Sequence, residues 1–268
     1  MRSVLVTGAS SGIGAACAQR LARNGWRVFA GVRKQGDAPG GTKELLLDVT
    51  DADQIRAAAE TVGDELHALV NNAGIALAAP LESVPIDELR NQLEVNVVGQ
   101  VAVTQALLPA IRRARGRIVI IGSIAGRSAL PFLGPYAASK HALEAIADSL
   151  RMELRPFGIG VVLVEPGSIL TPIWTRSAAR ADDLLERMDG TVTDLYGDRI
   201  AAFRKIAMKR GAAGAPPEAV AEVVENALTA ERPRTRYLVG RDAKIRAGVQ
   251  LLPDKLRDRL YERALLRG

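Results

Sequence analysis

The chain is predicted to fold as one doubly wound α/β domain, a parallel sheet of about seven strands with helices on both faces. Three observations carry that prediction. Short β-branched apolar runs alternate with longer segments of helical period along the 268 residues. A glycine-rich turn, TGASSGIG, follows the first run at once. No internal repeat points to a solenoid or an array. A hydrophobic fraction of 48% is ample for a single core spanning residues 1–268. No apolar run reaches the ~20 residues that a membrane span requires. The N-terminus, MRSVLVTG, enters a strand without the features of a secretory leader, so cytoplasmic residence is expected. The one cysteine, Cys17, reads as a small buried hydrophobe on the first helix.

The net charge of +6 is local. Residues 231 to 268 carry eleven Lys+Arg against five Asp+Glu, an excess that accounts for the whole and leaves the body neutral. With 4% aromatic residues there are few stacking platforms, and nucleic-acid binding is not expected. No Cys-x-x-Cys or Glu-x-x-His spacing offers a metal site, and His67 and His141 read as structural.

Ser3 to Thr7 (SVLVT) reads as a strand buried on both faces. Gly8, Ser10, Ser11, Gly12, Ile13 and Gly14 then lead into a helix whose apolar positions recur at Ile13, Cys17 and Leu21, ending at Asn24-Gly25. Strand, glycine turn and helix N-terminus together suit a pyrophosphate, which takes free backbone N–H groups and the positive end of the helix dipole. The glycine spacing departs from G-x-G-x-x-G, and tight strand–helix packing alone would also use it. A second strand, Arg27 to Val32, ends without the acid that binds a ribose 2′-hydroxyl. Arg33 and Lys34 follow, either to pair with a 2′-phosphate or as solvated loop charges. The first reading favours NADP(H), with NAD(H) as the alternative.

Glu44 to Leu47 reads as the third strand, followed by Asp48, which can meet an adenine amino group or simply shape a turn, and by Thr50 or Asp51 as a helix cap. Leu66 to Val70 is the fourth, ending in Asn71, Asn72, Ala73 and Gly74, small and amide residues that suit close approach to a ligand. The segment ELRNQLEVNVVGQVAVTQALLPAI is too apolar for a surface helix and is expected against the sheet and a partner subunit. Asn96 inside it needs hydrogen-bond partners; it can hold a local break and an ordered water, or serve structure alone. Arg117 to Ile121 and Gly160 to Val164 are the fifth and sixth strands, the latter leading to the rigid turn Pro166-Gly167, where a backbone can pass a nicotinamide ring. Residues 168–214 show weak periodicity, with turns at Asp189-Gly190 and Gly211 to Gly214, and read as a lid or as helix packing. Arg236 to Val239 is the last strand.

Ser123, at the end of the fifth strand, precedes Tyr136 and Lys140, which lie four apart on one face of a long helix. A phenol has an unperturbed pKa near ~10, and an ammonium beside it favours the phenolate. Ser123 can hold a substrate oxygen while Tyr136 gives or takes its proton, with Lys140 tuning the phenol. Tyr-x-x-x-Lys alone also occurs by chance on amphipathic helices.

The ordered set TGASSGIG, NNAG, Asn96, Ser123 with Tyr136-x-x-x-Lys140, and PGSILT resembles the short-chain dehydrogenases/reductases from about Ser3 to Gly240. That resemblance implies a Rossmann fold and an NAD(P)(H)-dependent alcohol/carbonyl oxidoreductase with Asn96, Ser123, Tyr136 and Lys140 as a catalytic tetrad. It implies that Tyr136 is the general acid/base, Ser123 fixes the substrate oxygen, Lys140 binds the nicotinamide ribose and lowers the Tyr136 pKa, and Asn96 supports a water relay. It places Gly8, Ser10, Ile13, Asp48, Val49, Asn72, Ala73, Gly74, Ile169 and Thr171 around the cofactor, and it implies a homodimer or homotetramer. Gly126-Arg127, Glu165 and TRYLVGRDAK are similar to the 17β-hydroxysteroid and retinol dehydrogenase branch, in which Val32-Arg33 matches the NADP-preferring arrangement.

The wall is expected to offer Leu77, Leu130, Phe132, Leu133, Trp174 and Met188, with few charges, fitting a lipophilic secondary alcohol or ketone such as a steroid, retinoid or terpenoid. The alternatives are 3-oxoacyl thioester reduction, with the basic C-terminal face docking an acidic carrier, and a non-catalytic NADP-binding scaffold or sensor. The basic amphipathic segment at 241–268 is expected to pack on its own domain or a neighbouring subunit, with peripheral membrane contact as the alternative.

Overall fold

The structure is a computed structural model describing residues 1–187 and 190–265. Its sheet has seven parallel strands: β1 (Ser3–Thr7), β2 (Arg27–Val32), β3 (Lys43–Leu46), β4 (Ala68–Asn71), β5 (Arg117–Ile121), β6 (Gly160–Pro166) and β7 (Arg236–Val239). They lie in the order β3-β2-β1-β4-β5-β6-β7. The chain therefore starts at the centre, walks out to β3, and returns to place β4 on the other side of β1, with Leu5 paired to both Phe29 and Leu69. That reversal opens a crevice at the carboxyl ends of β1 and β4, where helices lead off to opposite faces.

Alternating side chains along the buried strands feed two cores. On one face Val4, Val6 and Val28 meet α1 (Gly12–Arg23) and α8 (Pro217–Thr229) through Cys17, Leu21, Val220 and Val224. Burial pushes the Cys17 thiol up to about 12, consistent with a packing role. On the other face Leu5, Leu69, Ile118 and Leu163 meet α2 (Ala52–Val62), α4 (Gly99–Ala114) and α5 (Gly134–Leu154) through Ile55, Leu107, Ile111 and Leu143. Asp51 caps α2, accepting from the amides of Asp53 and Gln54.

The long apolar helix is in fact two. α3 (Ile86–Leu93) and α4 are joined by a π turn over Glu94–Val98, so the break expected at Asn96 is present and Asn96 lies inside it. Against the sequence expectation, the run Ile86–Ala114 is long and apolar enough by length and composition to cross a membrane. Its inner residues Val103, Leu107 and Ile111 pack on the sheet, so the apolarity serves the core.

Three strands differ from expectation at their ends. β3 slides by one residue, β6 runs on to Pro166, and β4 starts at Ala68, because the Leu66 amide is diverted to the Ala110 carbonyl at 3.2 Å. The 168–214 stretch is mostly two helices, α6 (Ile173–Arg187) and α7 (Gly190–Ala212). The expected turn at Asp189-Gly190 and the wall residue Met188 fall on or beside residues outside the described set. The chain ends with α9 (Arg241–Val249) and α10 (Asp254–Leu265). Tyr261 of α10 meets the Ser128 hydroxyl at 2.7 Å, docking the segment on its own domain while Leu256 and Leu260 remain exposed.

Candidate active site

A cleft of about 510 Å³ runs along the carboxyl edge of the sheet. Gly8 and Gly12 adopt left-handed backbone, φ 63° and 55°, and the turn they make passes directly into α1. At Gly14 a Cβ would sit 2.2 Å from the Gly8 carbonyl oxygen and 2.5 Å from Asn72 Nδ2, so only glycine allows the helix to approach the turn this closely. Ser11 is the N-cap but makes no side-chain cap bond, so the first-turn N–H groups of α1 are free for a ligand. The cradle thus fits a dinucleotide pyrophosphate on its own geometry.

Asn72 stitches β4 to that cradle, donating from Nδ2 to Thr7 O at 2.9 Å and Gly8 O at 3.1 Å. Thr7 Oγ1 in turn accepts from the amides of Asn72 and Ala73, both at 2.9 Å. Further along, Asn96 is wholly buried; its Oδ1 accepts from Ile75 N at 2.8 Å while Nδ2 donates to Ile75 O at 2.9 Å and Ser139 Oγ at 3.0 Å. Both amide hydrogens are spent on protein, so the side chain clamps the loop after β4.

Three residues that the sequence reading did not single out extend this clamp. Gln92 accepts from Leu77 N and donates to Ile75 O, both at 2.8 Å; Gln100 donates to Ala73 O at 2.9 Å; Thr104 accepts from Asn71 Nδ2 at 2.7 Å. Positions 92, 96, 100 and 104 are polar at a spacing of four and so share one face of the helix pair, a signal present in the sequence.

Ser123 lies two residues beyond β5 and accepts from Ala125 N at 3.1 Å, capping a short turn over Ile124–Gly126. Pro135 in the first turn of α5 sets the start of the helix that carries Tyr136 and Lys140. Burial pushes the Tyr136 phenol up, against a hydrogen bond with Ser123 and the positive charge of Arg246. Lys140 Nζ donates to Ile121 O at 2.9 Å and lies 5.8 Å from the Tyr136 ring centroid; burial lowers its pKa to about 8. Arg246 of α9 thus joins the charges around the Tyr136 phenol, while burial is the largest influence on both Tyr136 and Lys140.

Gly8, Ser10, Ser11, Gly12, Ile13, Arg33, Asp48, Val49, Asn72, Ala73, Gly74, Ser123, Tyr136, Lys140, Pro166, Gly167, Ile169 and Thr171 all line this cleft. Gly14 and Asn96 do not; they stand behind the wall and fix it. Asp48 Oδ1 is engaged by Thr50, through its amide at 3.0 Å and its hydroxyl at 2.7 Å. The Pro166-Gly167 turn is held by Asp242, part of the TRYLVGRDAK stretch but given no role by the sequence reading, whose Oδ2 accepts from Ser168 N at 2.7 Å.

The substrate wall departs from expectation. Leu133 and Trp174 line the cleft, but Leu77 is buried beside Ala79, Val84 and Leu184, and Leu130 does not line it. Phe132 faces a smaller apolar cavity that shares Leu133, Trp174 and Ser177 with the cleft. There it adopts φ 64°, strained for an aromatic residue, and packs edge-on against Phe203 at 5.5 Å. Arg176, Arg180 and Arg246 also line the cleft, where few charges were expected.

With these parts in place, comparison with known proteins is direct. The family profile for short chain dehydrogenase matches residues 2–182. The NADPH-dependent 3-dehydrocapnine reductase of Ornithobacterium rhinotracheale is 40% identical, with 99% of this chain and 98% of that protein covered. Human 17-beta-hydroxysteroid dehydrogenase type 6 is 37% identical over 97% of this chain and 88% of its own. A short chain dehydrogenase from Burkholderia cenocepacia, solved in complex with NADP, superposes with a TM-score of 0.75 at 26% identity, covering 99% of this chain and 100% of that one. Fold and site therefore define an NAD(P)(H)-dependent oxidoreductase with a Rossmann fold. The chain belongs to the short-chain dehydrogenase/reductase family, in the branch that includes 17β-hydroxysteroid dehydrogenases.

Proposed function

We propose that this protein interconverts a lipophilic secondary alcohol and its ketone, preferring NADP(H), with Tyr136 as general acid/base. The observation that carries the reading is that Ser123, Tyr136 and Lys140 share one cleft with the glycine cradle and adjoin an apolar cavity lined by Phe132, Trp174, Ile200, Phe203 and Met208. A nicotinamide dinucleotide, when bound, supplies or takes the hydride. The cradle and the N-terminus of α1 hold its pyrophosphate, and Arg33, exposed at the end of β2 where no acid stands, pairs with a 2′-phosphate. Ser123 Oγ holds the substrate oxygen while Tyr136 gives or takes its proton, and Lys140 keeps a positive charge beneath the ribose. Asn96 orders the loop behind them. The name of the Ornithobacterium relative, an NADPH-dependent reductase, supports both the cofactor preference and the reductive direction. A homodimer or homotetramer in the cytoplasm completes the reading. Val98, 49% exposed on the outer side of the α3–α4 pair, supports self-association, and a monomeric mass by analytical ultracentrifugation would remove that part.

A screen of NADPH and NADH oxidation against apolar ketones, aldehydes and 3-oxoacyl thioesters tests the reading. Turnover of apolar ketones with NADPH supports it. Exclusive turnover of thioesters would assign the activity to the acyl class, and cofactor binding without any turnover would assign a sensor role.

A further inference from the structure

We propose that Arg246 forms an anion-recognition subsite for the substrate, so that the ketone handled here carries an acidic group, a carboxylate, phosphate, phosphonate or sulfonate, within a few bonds of the reacting carbon. This rests on the reductase reading above and deepens it from a lipophilic ketone to an amphiphilic one.

Arg246 comes from α9 and lines the cleft with Ser123 and Tyr136. Its Nη2 donates to Ser128 O at 2.7 Å, and its buried Nε has no acceptor. Among the described residues no carboxylate lies within ion-pair distance of it. By contrast Arg127 meets Glu165 at 2.7 Å, Arg236 meets Glu165 at 3.0 Å, and Arg180 meets Glu88 at 3.0 Å. The groups that favour its charge are the Tyr261 hydroxyl, which also meets Ser128 Oγ at 2.7 Å, and then Asp242, whose Oδ2 is engaged by Ser168 N. Arg210 adds a repelling cation, and Arg176 lines the same cleft. Burial disfavours the charged guanidinium, and Tyr261 and Asp242 offset that only in part, with no described carboxylate in ion-pair contact.

A cation held so is stabilised when a ligand brings the opposite charge. We assign this cation to the substrate and not to the cofactor phosphates because the phosphate cradle is built from Gly8 to Gly14, whereas Arg246 is anchored on Ser128, beyond Ser123. What occupies the space between Arg246 and Tyr136 is the substrate. The apolar cavity behind Leu133 and Trp174 then takes its tail.

The test uses the full chain saturated with NADP+, so that the phosphate cradle is filled and no hydride can move. Calorimetry compares 2-oxoheptylphosphonate with its neutral dimethyl ester, in wild type, Arg246→Gln and Arg246→Lys. One charge-assisted hydrogen bond corresponds to roughly tenfold or more in affinity. The anion is expected to bind at least ~tenfold more tightly than the ester in wild type, that ratio to collapse in Arg246→Gln, and part of it to survive in Arg246→Lys. Equal binding of the two probes by wild type, no binding of the anion, or a ratio preserved in Arg246→Gln would overturn the subsite. If Arg246→Gln does not fold, the wild-type ratio and the lysine variant decide. Arg246-dependent binding of the anion with no NADPH oxidation by either ketone would uphold the subsite and reject the reductase reading.

Discussion

Lys140 carries its ammonium to the carbonyl oxygen of Ile121, 2.9 Å away, from a position that is 5% exposed. Desolvation is what this cation feels most, and it lowers the pKa from 10.5 to about 8. Between those two values the unfolded chain holds a proton that the folded protein has released. The fold therefore gains stability as pH rises across that window, about 3 kcal/mol, and loses it again as pH falls through 8. Urea denaturation of the apo protein across the window should show this rise in wild type and not in Lys140→Met. Parallel curves for the two proteins would contradict the assignment.

The four polar residues of the α3–α4 pair hold the loop after β4 as a unit. Asn96→Ala removes three hydrogen bonds and leaves the Ile75 amide unpaired, its carbonyl keeping only Gln92, a loss of about 3 kcal/mol. Gln92→Ala removes two and should cost about 2 kcal/mol. Because Ala73 and Gly74 belong to the same loop, NADPH affinity should fall in both variants, as measured by calorimetry alongside denaturation. A variant that melts lower but binds NADPH unchanged would confine the clamp to stability.

Gly14→Ala drives a methyl into the Gly8 carbonyl and Asn72. NADPH affinity should drop roughly tenfold or more as the cradle opens. Gly36→Ala is the control: its φ of 86° is strained for alanine, but open space surrounds it, so about 1 kcal/mol of stability is lost with no change in cofactor binding. Equal cofactor affinities in the two variants would deny the cradle its role.

Arg33 separates the two cofactors. Arg33→Ala should raise the Kd for NADPH by about tenfold and leave that for NADH within twofold, since only the former carries the 2′-phosphate. An equal loss for both would return Arg33 to an ordinary loop charge.

Much of the scaffold was legible because strand and helix periods are local. SVLVT, RVFAGV, RIVII and RYLV became strands with the expected ends, and the glycine turn before α1 announced the cradle. Asn96 stood out as a lone polar residue among valines, and the π turn at that point accounts for it. Its partners Gln92, Gln100 and Thr104 were equally visible at a spacing of four, but each was harder to see without the loop it serves. Arg246 and Asp242 were beyond local reading. They join the site only because β7 brings α9 back over the carboxyl edge, more than a hundred residues after Ser123. The part Arg246 plays in the charge around Tyr136 was out of reach for the same reason, whereas the spacing of four does place Lys140 beside the ring.

The central claim is that the Tyr136 hydroxyl moves the proton that accompanies hydride transfer. Tyr136→Phe deletes that one oxygen and keeps the ring. Steady-state NADPH oxidation with the best ketone from the screen should fall about a thousandfold, while the Kd for NADPH stays within threefold of wild type. Near-wild-type turnover by Tyr136→Phe would contradict the account.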